Sequence, residues 1–312
     1  MIYTLTLNPA VDRELTVPAM EFDSVLRAAE SRVDFGGKGF NVSRLLRGMD
    51  EPSIAIGFVG GNAGELLEKG LKSLGIDTDF VWVAEETRTN VSIVTLSHDR
   101  YIKVNEKGPL VDESRQAELL AKIDSLANAG DWWVLAGSLP PGIRNDFYAR
   151  VIQVLNTHAA NAILDTSGES LILGCAEKPY MVKPNAEELH AITGLAVDSL
   201  TEIAAAASAV RGMGAQNVVV SMGKQGALLH SSEASWLTHT PRIQEKNPIG
   251  AGDSMVGGLV WALAHNFDLK EALRWGVASG AATASLPGTQ VGSRHLIEEL
   301  YSQVRYERLE IA

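Results

Sequence analysis

At 312 residues, with 46% hydrophobic and 21% charged side chains, the chain has ordinary globular composition and length for a large core, which excludes disordered and fibrous classes. A formal charge of -11 speaks against a general nucleic-acid binder, which needs a basic face. The single cysteine, Cys175, allows no intramolecular disulfide, and no Cys or His pair has metal-ligand spacing.

From the N-terminus, residues 2–7 read as a first strand that ends at Asn8-Pro9; without a basic region before it, no signal peptide is expected. No apolar run reaches the roughly 18 residues that span a bilayer, so the expected location is the cytosol, with no membrane partner. Further β-rich runs at 53–59, 132–135, 161–164, 180–182 and 217–221 alternate with helical periodicity at 39–48, 63–74, 112–127, 146–157 and 200–214. This alternation predicts an α/β fold, a parallel-sheet core with helices on both faces. Two stretches break it. Residues 13–17 with 28–35, and 90–96 with 101–105, are strand-like with no helix between, the second pair joined as a hairpin through Ser97-His98-Asp99-Arg100. They predict a small β-sheet lid, formed by about 12–35 and 88–106, on one domain spanning 1–312; edge strands of the core sheet are the alternative. After Pro248 helix follows helix, at 253–265, 269–285 and 295–301, with many Gly and Ala that permit close packing.

Four runs carry chemistry. Gly250-Ala251-Gly252-Asp253 opens a long apolar helix, where free backbone N–H groups and the helix dipole form an anion site. Asp253 there reads either as a helix N-cap or as a carboxylate that takes a proton from an attacking hydroxyl. Gly36-Gly37-Lys38-Gly39-Phe40-Asn41 places glycines, a cation and an amide at a strand-to-helix junction, which is either an ordinary turn or a loop that lets backbone approach a ligand. It is not a Walker A loop, since Gly39 follows Lys38 where Ser or Thr is required. Lys183-Pro184-Asn185 with Glu188 offers groups for nucleotide phosphates and hydrated Mg²⁺, and equally a capping box. Ser221 to Gly226, with Gly223 between, leaves a buried strand through a turn that can admit a nucleotide, and alone is merely a hairpin.

In this order the runs resemble the PfkB (ribokinase-like) carbohydrate kinases over essentially the whole length. The resemblance implies a ribokinase-like α/β core with a β lid that often mediates dimerisation, hence a homodimer. It also implies ATP as co-substrate with Mg²⁺ near Glu188, held through water, and Lys183, Asn185, Ser221, Gly223 and Gly226 at the nucleotide. Asp253 becomes the catalytic base and Gly250, Ala251 and Gly252 the anion hole. Pro248 departs from the family pattern, where Thr is frequent, and removes an N–H and any hydroxyl contact there.

Within the family, the opening run from Thr4 to Asp12 and the run from Ala136 to Gly142 resemble the phosphosugar branch of 1-phosphofructokinases, tagatose-6-phosphate kinases and minor 6-phosphofructokinases. That implies Asp12, Gly37, Asn41 and Ser138 at the sugar, and Lys38, Arg88 and Lys103 as cations for the acceptor's own phosphate, with Arg27 a weaker candidate. The expected reaction is ATP-dependent phosphorylation of a ketohexose phosphate, with fructose 1-phosphate giving fructose 1,6-bisphosphate. A kinase of an unphosphorylated sugar or nucleoside, and a non-catalytic sensor, are the alternatives.

Overall fold

The computed structural model describes residues 1–97 and 100–309. In chain order the elements are β1 (Ile2–Thr6), β2 (Ala10–Val17), β3 (Glu30–Gly36), α1 (Lys38–Gly48), β4 (Ile54–Val59), α2 (Gly61–Ser73), β5 (Asp77–Thr78), β6 (Val81–Trp82), β7 (Arg88–Thr95) and β8 (Tyr101–Val104). They continue with α3 (Glu113–Leu126), β9 (Trp132–Ala136), α4 (Phe147–Thr157), β10 (Asn161–Asp165), α5 (Gly168–Ala176), β11 (Met181–Val182), α6 (Ala186–Thr193), α7 (Leu200–Gly212) and β12 (Asn217–Ser221). A short 3₁₀ turn at Gly223–Gln225 leads to β13 (Ala227–His230), β14 (Ser235–His239), α8 (Ala251–Ala264), α9 (Leu269–Ala284), α10 (Arg294–Tyr301) and β15 (Arg305–Leu309).

The large sheet runs β15-β14-β13-β12-β11-β10-β9-β1-β4-β5, with β6 also on β4. From β12 to β5 every pair is parallel, as the strand and helix alternation predicts. The three strands beyond β12 are antiparallel and extend the parallel core at one edge. Short turns join β12 to β13 and β13 to β14, so these neighbours reverse direction, and β15 returns after the three C-terminal helices to pair antiparallel with β14. One sheet face, with Leu5, Trp133, Leu135, Leu164 and Val218, packs on α3 to α7. The other, with Ile2, Val134, Ile163 and Val219, packs on α1, α8, α9 and α10. Because both faces are covered, the strands are nearly continuous apolar runs, and sites must form at strand ends.

β2, β3, β7 and β8 form a separate four-stranded sheet in the order β3-β2-β7-β8. The strand-like stretches therefore leave the core sheet instead of edging it. His98 and Asp99, in the expected hairpin turn, lie outside the described residues. Register sorts this sheet's faces: Asp12 stands opposite both Asp34 and Asn90, and Ser92 opposite Lys103, so these polar side chains share one face. Leu15, Ile93, Ile102 and Val104 alternate onto the other.

β1 and β4 pair at Thr6 and Gly57, where a Cβ added to Gly57 would lie 2.0 Å from the Thr6 carbonyl oxygen. No rotamer relieves a clash with backbone. Gly57→Ala is expected to lower unfolding free energy by about 1–3 kcal/mol, whereas Gly212→Ala, where an added Cβ meets nothing within 4 Å, should be neutral or stabilise by up to about 1 kcal/mol. Denaturant titration of both variants checks the contrast; equal effects would contradict it.

Candidate active site

The ends of β1, β9, β10, β11 and β12 and the starts of α1 and α8 converge where the parallel strands finish. At α8 the chain turns through Gly250 in the left-handed region, φ 78°, a conformation that disfavours side chains, and Gly250 is the N-cap. Asp253 is therefore the third residue of the helix and not its cap, which removes the capping reading. Its carboxylate turns inward, is 9% exposed, and accepts a hydrogen bond from Asn41 Nδ2 at 2.7 Å. Asn41 comes from the first turn of α1, whose start seats against Thr6 at the Gly37 and Gly39 positions.

The expected anion hole is partly corrected. The Ala251 amide donates to the Pro248 carbonyl at 3.2 Å, closing a turn. Among the described residues no protein acceptor takes the amides of Gly252 and Asp253, so these two N–H groups at the helix start are the donors available to an anion.

Asp165, at the end of β10, went unnoticed in the sequence because a lone Asp after a strand carries no motif. Its side chain is 1% exposed, and Oδ1 lies 3.4 Å from both Lys38 Nζ and Lys183 Nζ. Lys183, 5% exposed, also stands beside the Gly252 backbone. Both lysines thus gather around Asp165 next to Asp253. Burial works to lower the Lys38 pKa, but the carboxylates of Asp165, Asp253 and Glu188 outweigh it and hold the ammonium above its ordinary value.

Burial, reinforced by Asp165, pushes Asp253 up to about 6, against the opposing pull of Asn41, Lys38 and Lys183. The carboxylate is thus ionised at neutral pH and close enough to it to exchange a proton. Because the folded value exceeds the ordinary 3.8, the protonated group's contribution to stability is present below 3.8 and lost as pH rises through about 6.

Asn185 caps α6 and Glu188 completes the capping box, Oε2 accepting from the Asn185 amide at 2.9 Å. The capping reading of this run holds, and it uses only one Glu188 oxygen in the described bonds. Among the described residues no three metal-ligating side chains converge. A divalent cation here would take most ligands from water and substrate oxygens, the way Mg²⁺ is commonly held.

Beyond the α8 start opens a cleft of about 660 Å³, whose wall includes Ala251 and Gly252. Asn185, Ser221 and Gly223, expected at the nucleotide, line it. Gly226 does not: its backbone packs on the Thr238 carbonyl, 1.8 Å from where a Cβ would sit, so this glycine serves strand packing. The sequence reading missed Thr240, Arg242, Ile243 and Glu245 at the rim, and Val277, Gly280, Ala281 and Ala284 of α9 along the floor. The α9 small residues were visible as packing positions; only the fold shows that one row faces a cleft.

On the small sheet Asp12 accepts from Asn90 Nδ2 at 2.7 Å. Burial raises its pKa against the pull of Asn90, Lys103 and Arg88. Arg88 is committed to backbone, donating to the carbonyls of Asn8 at 2.9 Å, Glu106 at 3.2 Å and Pro9 at 3.4 Å. Lys103 is exposed on β8. Ser138 is exposed in the loop after β9, where the neighbouring Gly137 adjoins Lys38. Arg27 lies on an exposed stretch before β3.

The model of the pfkB family carbohydrate kinases matches residues 5–296. The chain belongs to that family. It is 36% identical over 309 residues, 99% of this chain and 100% of the relative, to 1-phosphofructokinase of Bacillus subtilis. It is 32% identical over 307 residues, 97% and 98% of the two chains, to tagatose-6-phosphate kinase of Staphylococcus epidermidis. Among solved structures, phosphofructokinase-2 from Escherichia coli in complex with fructose-6-phosphate superposes with TM-score 0.90 at 30% identity, covering 96% of this chain and 98% of that one. As a pfkB kinase the chain is a phosphotransferase acting on a hydroxyl, with ATP as co-substrate.

The Asp253 environment sets a pH dependence. kcat/KM should fall on the acid side with a midpoint near 6, and Asn41→Ala, which deletes the bond favouring the ionised form, should move that midpoint upward. A pH-rate profile of both proteins decides; an unmoved or lowered midpoint in the variant would contradict the assignment.

Proposed function

We propose that this kinase transfers the γ-phosphoryl group of ATP to a hydroxyl of a ketohexose phosphate, fructose 1-phosphate giving fructose 1,6-bisphosphate, in the cytosol. The observation that carries the reading is the buried Asp253 carboxylate beside two unpaired helix-start amides and two lysines. Asp253 takes the proton of the acceptor hydroxyl as the oxygen attacks phosphorus. The amides of Gly252 and Asp253, with Lys38 and Lys183, meet the charge on the transferring group, in a site where water is excluded and each donor counts for more. Lys38 thus serves the transferred group and not the acceptor's own phosphate. The cleft from Ser221 to α9 takes the nucleotide, its apolar floor receiving the base and Asn185 turned toward the phosphates. Glu188 and Asp165 offer carboxylate oxygen to water-held Mg²⁺, which when bound neutralises phosphate charge.

The acceptor lies under the polar face of the small sheet, which acts as a lid: Asp12, with Asn90 behind it, Gly37, Asn41 and Ser138 meet sugar hydroxyls, and Lys103 takes the acceptor's phosphate. Arg88 fixes the Asn8-Pro9 crossing and presents its remaining N–H groups alongside. Kinship with a 1-phosphofructokinase at 36% identity supports fructose 1-phosphate over tagatose 6-phosphate and fructose 6-phosphate. The lid's other face carries exposed Ile102 and Val104, and Phe22 and Val25 stand exposed on the β2 to β3 connection, supporting a homodimer formed lid to lid.

ADP release coupled to a spectroscopic reporter, measured across the three ketohexose phosphates, fructose, ribose and adenosine, tests the acceptor. Fructose 1-phosphate should give the highest kcat/KM, and Lys103→Ala should raise its KM about tenfold with little change in kcat, as loss of one charge-assisted contact does. Turnover of neutral acceptors alone would sink the phosphosugar reading.

A further inference from the structure

A set of contacts outside the transfer machinery connects its two halves. Asp34 of β3 stands directly across from Asp12 in the lid sheet. Its Oδ2 accepts from Arg32 Nε at 2.8 Å and its Oδ1 accepts from the Thr289 hydroxyl at 2.7 Å. Thr289 belongs to residues 285–292, the connection between α9 and α10, so the contact spans 255 residues of sequence. The Thr289 carbonyl in turn accepts from Arg44 Nη2 of α1 at 2.9 Å.

On its other side this connection grips the segment that carries the catalytic loop. The Gly288 carbonyl accepts from Asn247 Nδ2 at 2.7 Å, and Asn247 Oδ1 accepts the Ile249 amide at 3.0 Å. Thr283, at the end of α9, donates to Ser254 Oγ at 2.8 Å and accepts the Gly292 amide at 3.1 Å. Pro248 and Ile249 are exposed and pack on no core. Asn247 ties them to this connection, and the Lys246 and Asn247 amides, both donating to the Ala284 carbonyl, tie the same segment to the end of α9. Residues 285–292 are thus wedged between the strand that pairs with Asp12 and the segment that holds Asp253.

We propose that Thr289 is a positioning residue whose hydroxyl, through Asp34, makes placement of the lid and placement of the catalytic loop one event. The bond forms in the arrangement that both ligands favour, so an acceptor bound under the lid tightens nucleotide binding at the loop, and nucleotide tightens acceptor binding by the same factor. The inference rests on the kinase reading with its lid over the acceptor, and applies to whichever acceptor the enzyme uses.

The test is calorimetric, on the full chain. The Kd of a non-hydrolysable ATP analogue with Mg²⁺ is measured with and without the acceptor that the wild type turns over fastest, so failure of the phosphosugar reading changes only the acceptor used. The ratio of the two constants is expected to exceed one in the wild type. It should fall about tenfold, or to one, in Thr289→Val, as loss of one hydrogen bond to a carboxylate gives. Thr289→Ser keeps the hydroxyl and should retain the ratio. Asp34→Ala should lose it from the lid side, which also carries the test if Thr289→Val does not fold, and the double variant should lose no more than either single one. A ratio of one in the wild type, an unchanged ratio in Thr289→Val or Asp34→Ala, or a Ser variant as impaired as the Val variant would overturn the proposal. A lowered melting temperature with the ratio intact would mark Thr289 as structural only and overturn it equally.

Discussion

The Asp253 carboxylate has to remain charged while nearly removed from water, and the site is organised around that constraint. Burial alone would neutralise it. One hydrogen bond from Asn41 and two lysines nearby offset part of that cost and leave the group titrating near 6. Those lysines are themselves held by Asp165, whose own charge pushes Asp253 the other way. The result is a balance of opposed pairs: a base weak enough to stay ionised at neutral pH and strong enough to take a proton as one leaves the attacking hydroxyl.

The fold supplies this balance by bringing together groups far apart in the chain. Asn41 and Asp253 are 212 residues apart and meet because α1 and α8 start at the same end of the parallel strands. The small sheet hangs from that end, with Asp12, Asn90, Ser92 and Lys103 set on one face by the alternation along β2, β7 and β8. Leu15, Ile93, Ile102 and Val104 take the opposite face, so one two-residue period separates the face proposed to meet the acceptor from the face proposed to meet a second copy of the chain.

How much was legible in the sequence follows from the range of the physics involved. The parallel core, the departure of the β2, β3, β7 and β8 strands, and the glycine turn before Asp253 are written in local periodicity and in residues with special backbone freedom. The role proposed for Asp253 is legible as chemistry but not as geometry: only the fold shows it to be the third helical residue, turned inward to Asn41. Asp165, Thr289 and the α9 floor of the cleft were illegible because their meaning lies in contacts across long sequence separations. Ala251 and Gly226 were misplaced for a related reason. A glycine-rich run announces that backbone comes close to something, and the same signal serves an anion, a turn to Pro248 or the carbonyl of Thr238.

Charge on the whole molecule opposes its substrates, since a formal charge of -11 repels phosphates. The attraction we propose is therefore local: two helix-start amides, Lys38 and Lys183 at one end, Lys103 with Arg88 at the other. Asp253 lies where the first group ends, and in the proposed mechanism its carboxylate takes the acceptor's proton. Replacing it with Asn preserves shape and the Asn41 contact while removing the base, so the most direct measurement is kcat and ligand Kd for Asp253→Asn. kcat should fall by at least about 10²–10⁴-fold, the range general-base catalysis supplies, with nucleotide and acceptor Kd within a few-fold of wild type. Turnover within tenfold of wild type would contradict the role of Asp253 as base.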